Sequence, residues 1–203
     1  MVVGVRFPFD VYVVTGAERV ALAALRGGAG AVQVRARHLD DSALLPMIRR
    51  IVDACGRAGA VCMVNDRVDL ALAAGAHGAH LGQRDLVPRA RERLGDGRLL
   101  GVSLDDPADL PAAEAAGASY VAMTVFPTAT KPEAVPHGLD GLRAVAARAA
   151  VPVVAIGGIT AANAAEVLAA GAAGVAVISE VEAAPDPERA TRELAAVVRG
   201  VRR

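Results

Sequence analysis

The sequence predicts a closed parallel barrel of eight strands and eight helices, a (β/α)8 TIM barrel, with residues 1–203 forming one domain. Three observations carry that expectation. Short runs rich in Val, Ile and Ala recur eight times, each followed by a turn and a segment with helical apolar spacing. No antiparallel hairpin signal joins them, so the connections read as crossovers between parallel strands. The first turn, Thr15-Gly16-Ala17, also lacks the glycine-rich fingerprint that an open doubly wound sheet normally carries there. At about 25 residues per unit the chain sits near the compact limit of the barrel.

The elements follow in order. Residues 11–14 make the first strand and 18–26 the first helix. Residues 30–35 make the second strand. A long helix starts after Asp40-Asp41-Ser42, with Leu44, Leu45, Ile48, Ile51, Val52 and Cys55 on one face. The third strand is 61–64, followed by a short helix led by Val68, Leu70, Ala71 and Leu72 that Gly75 can end. The fourth unit pairs 78–81 with a helix over 87–94. The fifth strand is 99–102, after which Asp106 caps a helix with Pro107 in its first turn, a favoured place for proline. Residues 120–125 form the sixth strand, then a long loop leads to a helix over 139–149. The seventh strand is 151–156, with Thr160 capping the next helix and Gly171 ending it. Residues 174–178 and 187–198 complete the eighth unit.

Polar residues gather at the C-terminal ends of these strands, the edge at which parallel barrels place their catalytic groups. Asp66 and Asp85 each lie just past a strand, one unit apart. Two such acids can share a hard cation such as Mg2+, whose remaining ligands are water and phosphate oxygens. Asp is equally a preferred helix N-cap, and both residues precede helices. Gln33, Arg35 and Arg37 alternate, so their side chains share one face. Two guanidiniums there suit a pyrophosphate, or else form a solvated strand end with surface ion pairs. Ser103 ends the fifth strand, either as a donor to an anion or as a turn cap. The loop Phe126-Pro127-Thr128-Ala129-Thr130-Lys131-Pro132 clusters two hydroxyls and an ammonium. Gly157-Gly158 and Ser179 follow strands seven and eight, where barrels often seat a phosphate on backbone N–H groups, although any Gly-Gly can be a plain turn.

Composition narrows the partners. The chain has 22 basic and 22 acidic residues, a balance that argues against nucleic acid or an anionic membrane surface. No apolar run approaches a membrane span, and residues 1–10 lack the apolar core of a signal peptide. Cys55 and Cys62 match no metal spacing and read as buried thiols in a reducing cytoplasm. Small-molecule substrates are the expected partners, with association into a homo-oligomer left open.

Taken together, the motifs resemble the thiamine-phosphate synthase family, with the thiazole tautomerases as relatives in the same superfamily. The resemblance runs nearly the whole chain. It is carried by Val11-Tyr12-Val13-Val14-Thr15, Gln33-Val34-Arg35, Asn65-Asp66-Arg67-Val68-Asp69-Leu70-Ala71 and His80-Leu81-Gly82-Gln83-Arg84-Asp85. It continues through Gly101-Val102-Ser103, Phe126 to Lys131, Ala155-Ile156-Gly157-Gly158-Ile159 and Gly174-Val175-Ala176-Val177-Ile178-Ser179. The resemblance implies a transferase joining hydroxymethylpyrimidine pyrophosphate to a thiazole phosphate, with release of pyrophosphate. It implies that Asp66 and Asp85 hold Mg2+, and that Arg35, Ser103 and Lys131 bind the pyrophosphate. Gln33 and Asn65 would contact the pyrimidine. Thr128 and Thr130 would face the thiazole phosphate, with Gly157, Gly158, Ile178 and Ser179 around it.

Five positions depart from the family pattern. Arg37 stands where the family has Lys, keeping charge with a different geometry. Asp105 replaces a His, and Gly16 follows Thr15 where an Asp is frequent. Met123-Thr124 replaces a Gly-Pro, which the sequence reads as a change in the wall facing the substrate, so that the acceptor heterocycle could differ from the usual thiazole in a specialised pathway. Two other readings stand beside the synthase: a thiazole tautomerase, which uses no metal and carries a His where this chain has Thr124, and a catalytically silent phosphate-binding barrel.

Overall fold

The computed structural model describes residues 10–82 and 87–201. Eight parallel strands close on themselves in sequence order: β1 (Val11–Thr15), β2 (Ala31–Val34), β3 (Val61–Asn65), β4 (Gly78–Leu81), β5 (Leu99–Leu104), β6 (Tyr120–Thr124), β7 (Val153–Ile156) and β8 (Gly174–Val177). Closure is made by β8 against β1, with Tyr12 opposite Ala176. Helices α1 (Glu18–Gly27), α2 (Asp41–Ala58), α3 (Val68–Ala73), α4 (Val87–Leu94), α5 (Leu110–Ala115), α6 (Gly138–Ala146), α7 (Ala164–Ala169), α8 (Ser179–Glu182) and α9 (Pro187–Val201) lie along the chain between and after the strands.

Strand pleating divides the buried side chains into two layers. Val13, Val32, Val64, Leu100, Val121 and Val175 belong to the large core shared with the helices. Tyr12, Ala31, Met63, Tyr120, Ala122 and Ala176 form a separate, smaller cluster within the barrel. The α2 helix shows how sequence sets one element. The Asp40 carboxylate accepts from the Ala43 N–H at 3.0 Å, and Gly59 closes the helix in the left-handed region at φ 66°. Leu44, Ile48, Ile51 and Cys55 on its inner face are buried. Each large apolar side chain so buried contributes about 1.5–3 kcal/mol.

Several boundaries differ from the sequence expectation for identifiable reasons. β5 runs two residues further, because Ser103 and Leu104 stay in register with Ala122 and Met123. β7 starts at Val153, since Pro152 can accept from the Val121 N–H but has no N–H of its own to give. Thr160 does not cap α7 with its side chain. A turn intervenes, and Asn163 at the N-cap position accepts from the Thr160 N–H through its own side chain at 2.8 Å. The short α8 helix was not expected. No helix among the described residues is long and apolar enough to cross a membrane.

Candidate active site

The C-terminal ends of the strands open onto one cleft, enclosing about 870 Å3 of non-protein space with its mouth included. Gln33, Arg35, Arg37, Asn65, Asp66, Ser103, Thr128, Thr130, Lys131 and Gly157 all line it, although they come from five separate parts of the chain. Beside it lies a smaller recess between the loops after β7 and β8, lined by Gly157, Gly158, Ile178 and Ser179 and shared with Thr128 and Thr130. Asp85, the second acid of the expected metal pair, lies outside the described residues.

Asp66 has a backbone φ of 60°, the one non-glycine residue in the left-handed region among the described residues. Asp tolerates that conformation better than most side chains, at a cost of order 1 kcal/mol. The capping alternative for Asp66 does not hold. Arg67 occupies the N-cap position of α3 without a side-chain cap bond. The Asp66 carboxylate instead accepts from the Asn65 side-chain amide and lies 3.4 Å from the Arg37 guanidinium. Arg67 is held aside by Asp41 and Asp69, so it does not compete for Asp66.

Arg35 stands half-buried at the mouth. Burial, and then the neighbouring Arg37 guanidinium, push its pKa below the ordinary value, while Asp66, Glu133 and Glu182 pull the other way. An anionic ligand placed there would relieve both unfavourable effects. Lys131 is held across the mouth by Asp105 at 2.9 Å, and the Asp105 backbone carbonyl accepts from His137 Nε2 at 3.0 Å. The loop carrying Lys131 is thus tied at both sides, with the His137 N–H donating to the Thr124 carbonyl at 3.0 Å. The Thr128 and Thr130 hydroxyls are 2.9 Å apart, so the pair presents two oxygens at one place.

Gly157 and Gly158 both adopt positive φ, 86° and 62°. A Cβ on Gly157 would fall 2.7 Å from Thr124 Cγ2, and one on Gly158 would fall 2.7 Å from Phe126 Cβ. These glycines therefore allow the loop after β6 to lie directly on the loop after β7. The same two glycines line the recess where the sequence suggests a phosphate.

The Met123-Thr124 reading needs a correction. Only Thr124 faces the cleft. Met123 points outward into the core between strands and helices, because neighbours on a strand face opposite sides. Ser103 does not cap a turn either. It lies within β5, and its hydroxyl is 3.0 Å from His80 Nε2. The sequence reading gave no role to Tyr12, His80 or Tyr120. Tyr12 and His80 line the cleft floor, and Tyr120 lies sealed beneath it. The available signal was a histidine in the middle of a strand, alternating with Ala79 and Leu81 and therefore turned into the barrel.

Known proteins match this chain in sequence and in fold. The sequence model of one family, described as thiamine monophosphate synthase, matches residues 11–181. A thiamine-phosphate synthase of Chlorobium limicola is 44% identical over 182 residues, covering 88% of this chain and 87% of that protein. One from Laribacter hongkongensis is 46% identical over 185 residues, covering 90% and 87%. The solved structure of a thiamine phosphate pyrophosphorylase from Pyrococcus furiosus superposes with a TM-score of 0.91 at 35% identity, over 98% of this chain and 99% of that one. This chain belongs to the thiamine monophosphate synthase family and is a transferase of that kind.

Proposed function

We propose that the enzyme joins a hydroxymethylpyrimidine pyrophosphate to a thiazole phosphate in a Mg2+-dependent reaction, giving thiamine phosphate and pyrophosphate. One observation carries this reading: Arg35, Ser103 and Lys131 converge with the Asp66 carboxylate on one cleft, and a second recess with hydroxyls and paired glycines adjoins it. That arrangement suits one substrate with a dense negative charge and another with a single phosphate.

The residues present fit a hard cation. Asp66 offers a carboxylate at the cleft wall, and Asp85 would be its partner from the next strand end. Mg2+ commonly takes one or two carboxylates and fills its remaining positions with water and phosphate oxygens. When bound, it would supply charge neutralisation to the leaving pyrophosphate.

The chain's own groups account for the rest. Gln33 and Asn65 orient the aminopyrimidine on the cleft floor. Arg35, Ser103 and Lys131 donate to the pyrophosphate oxygens, where charge grows as the C–O bond to the pyrimidine methylene breaks and its electron pair leaves with the phosphate. The thiazole nitrogen then gives its lone pair to that methylene carbon. No proton need move in either step, so no protein base is required. The walls of the cleft limit competing attack by water. Thr128, Thr130 and Ser179 hold the acceptor's phosphate in the adjoining recess.

Thr124 on the cleft wall favours a second acceptor reading, in which a related heterocyclic phosphate replaces the thiazole. The reaction is set in the cytoplasm, a reading supported by two buried cysteines that remain free thiols. Pyrophosphate release, measured against Mg2+ concentration with a panel of thiazole and pyridine phosphates, tests the proposal. Release that ignores Mg2+, or isomerisation of the thiazole phosphate without pyrophosphate release, would overturn it.

A further inference from the structure

The chain has two tyrosines, and their hydroxyls meet inside the barrel at 3.0 Å across 108 residues of sequence. They form the centre of a longer series. Gln33 Nε2 donates to the Tyr12 hydroxyl at 2.6 Å. The Tyr120 hydroxyl is 2.9 Å from His80 Nδ1, and His80 Nε2 is 3.0 Å from the Ser103 hydroxyl. Gln33 and Ser103, the two ends, both line the cleft. Tyr120, in the middle, is fully buried and does not. Room for the series is made by Gly101, whose Cβ would fall 2.3 Å from the Tyr120 hydroxyl and 2.4 Å from His80 Nδ1.

We propose that Tyr12, Tyr120 and His80 are positioning residues that fix the polarity of both ends of this series, making the Ser103 hydroxyl a donor to pyrophosphate and the Gln33 carbonyl an acceptor for the aminopyrimidine. The inference rests on the function proposed above. Each tyrosine has one hydroxyl proton. With the Gln33 N–H received by Tyr12, the Tyr12 proton passes to Tyr120 and the Tyr120 proton to His80 Nδ1. His80 then carries its proton on Nε2 and gives it to Ser103. Because Ser103 accepts from His80, its own proton is not used within the series and serves the cleft. At the far end one Gln33 N–H is given to Tyr12, which fixes the rotation of the amide and offers its carbonyl oxygen to the substrate's exocyclic N–H. Burial agrees with this polarity, since it raises the pKa of both tyrosines and so keeps a proton on each hydroxyl. The reversed order would consume the Ser103 proton on His80 and present oxygen lone pairs to an anion.

Two measurements test this. 15N NMR of the unliganded enzyme at pH 7.5, with the His80 signals assigned by their loss in His80→Gln, should show the neutral ring protonated at Nε2. Protonation at Nδ1 would overturn the proposal whatever the enzyme's activity. The second is a double-mutant cycle on pyrophosphate release. Tyr120→Phe, which removes one buried oxygen and touches no substrate, should lower kcat about tenfold, within the range for coupled neighbours. Ser103→Ala should then cost little more in the Tyr120→Phe background than that background already costs. Tyr12→Phe serves the same cycle if Tyr120→Phe does not fold. His80→Gln, which keeps a donor to Ser103, should retain more kcat than His80→Leu. Independent, multiplying losses would reduce the series to packing. If wild-type enzyme releases no pyrophosphate at all, the proposed function fails, and the tautomer measurement alone decides the polarity.

Discussion

The two buried layers of this barrel are built on different physics. Between strands and helices the core is almost wholly aliphatic, from Val13 and Val32 through Leu100 and Leu142 to Leu194. Hydrophobic burial is non-directional and follows area, so one branched side chain can stand in for another of similar volume. Inside the barrel, the upper layer holds Tyr12, Gln33, His80 and Tyr120, each fixed by a hydrogen bond to a particular partner. Among the described residues no buried side-chain nitrogen or oxygen lacks a partner. Such a layer is intolerant, because removing one group strands the next. The outer layer therefore sets how stable the barrel is, and the inner layer sets what its mouth can do. A variant in the outer layer should lower stability and spare turnover, and one at the cleft wall should do the reverse.

The sharpest break is Asp66→Asn. Asn also tolerates left-handed backbone, so the melting temperature should hold while Mg2+-dependent turnover is abolished. Near-normal pyrophosphate release at low Mg2+ would remove Asp66 from the metal assignment. Leu142→Ala should do the reverse. It empties a fully buried position in the outer layer, costing about 2–5 kcal/mol of stability by denaturant titration. Its kcat per folded molecule should stay at the wild-type value.

Lys131→Ala comes next, with kcat down on the order of 100-fold, taking removal of one preorganised donor as the guide. KM for the pyrimidine pyrophosphate should change less than kcat, because the ammonium gains most as charge develops on the leaving group. Lys131→Arg should recover part of the loss. The Lys131–Asp105 pair is largely exposed, so stability should barely move. A Lys131→Ala enzyme within threefold of wild type in kcat would return this lysine to the solvent surface.

Gly158→Ala should affect both properties modestly. Its φ of 62° and the 2.7 Å approach to Phe126 Cβ call for a shift of the loop after β6, at a cost of about 1–2 kcal/mol. Acceptor KM should rise as Thr128 and Thr130 move with that loop, and an unchanged acceptor KM would disconnect the glycine from the recess. Smallest of all is Arg189→Ala, which removes an exposed ion pair to Glu193 one turn along α9. It should stay within about 0.5 kcal/mol in stability and leave turnover untouched. A larger change would show that the outer surface carries more than this division allows.

The alternation of strand and helix, the parallel closure and the convergence of Gln33, Arg35, Asp66, Ser103 and Lys131 were all legible in the sequence. Local patterns suffice for them: apolar period, turn residues, and the rule that strand ends share one rim. Tertiary structure alone decided the pairings across the barrel. Tyr12 and Tyr120 read as ordinary buried strand residues, and only closure of β8 on β1 brings rings 108 positions apart within hydrogen-bond reach. Met123 and Thr124 could not be told apart by sequence, because which of two neighbours faces inward depends on strand register. Asp66 is the same kind of case. Its left-handed backbone gives its N–H to the His80 carbonyl at 2.9 Å on the next strand, while its carboxylate meets Asn65 and Arg37 at the cleft, and of these partners only Asn65 is a neighbour in sequence. Periodicity is a property of neighbours along the chain, whereas side-chain partnership belongs to neighbours in space, and the closing barrel chooses those.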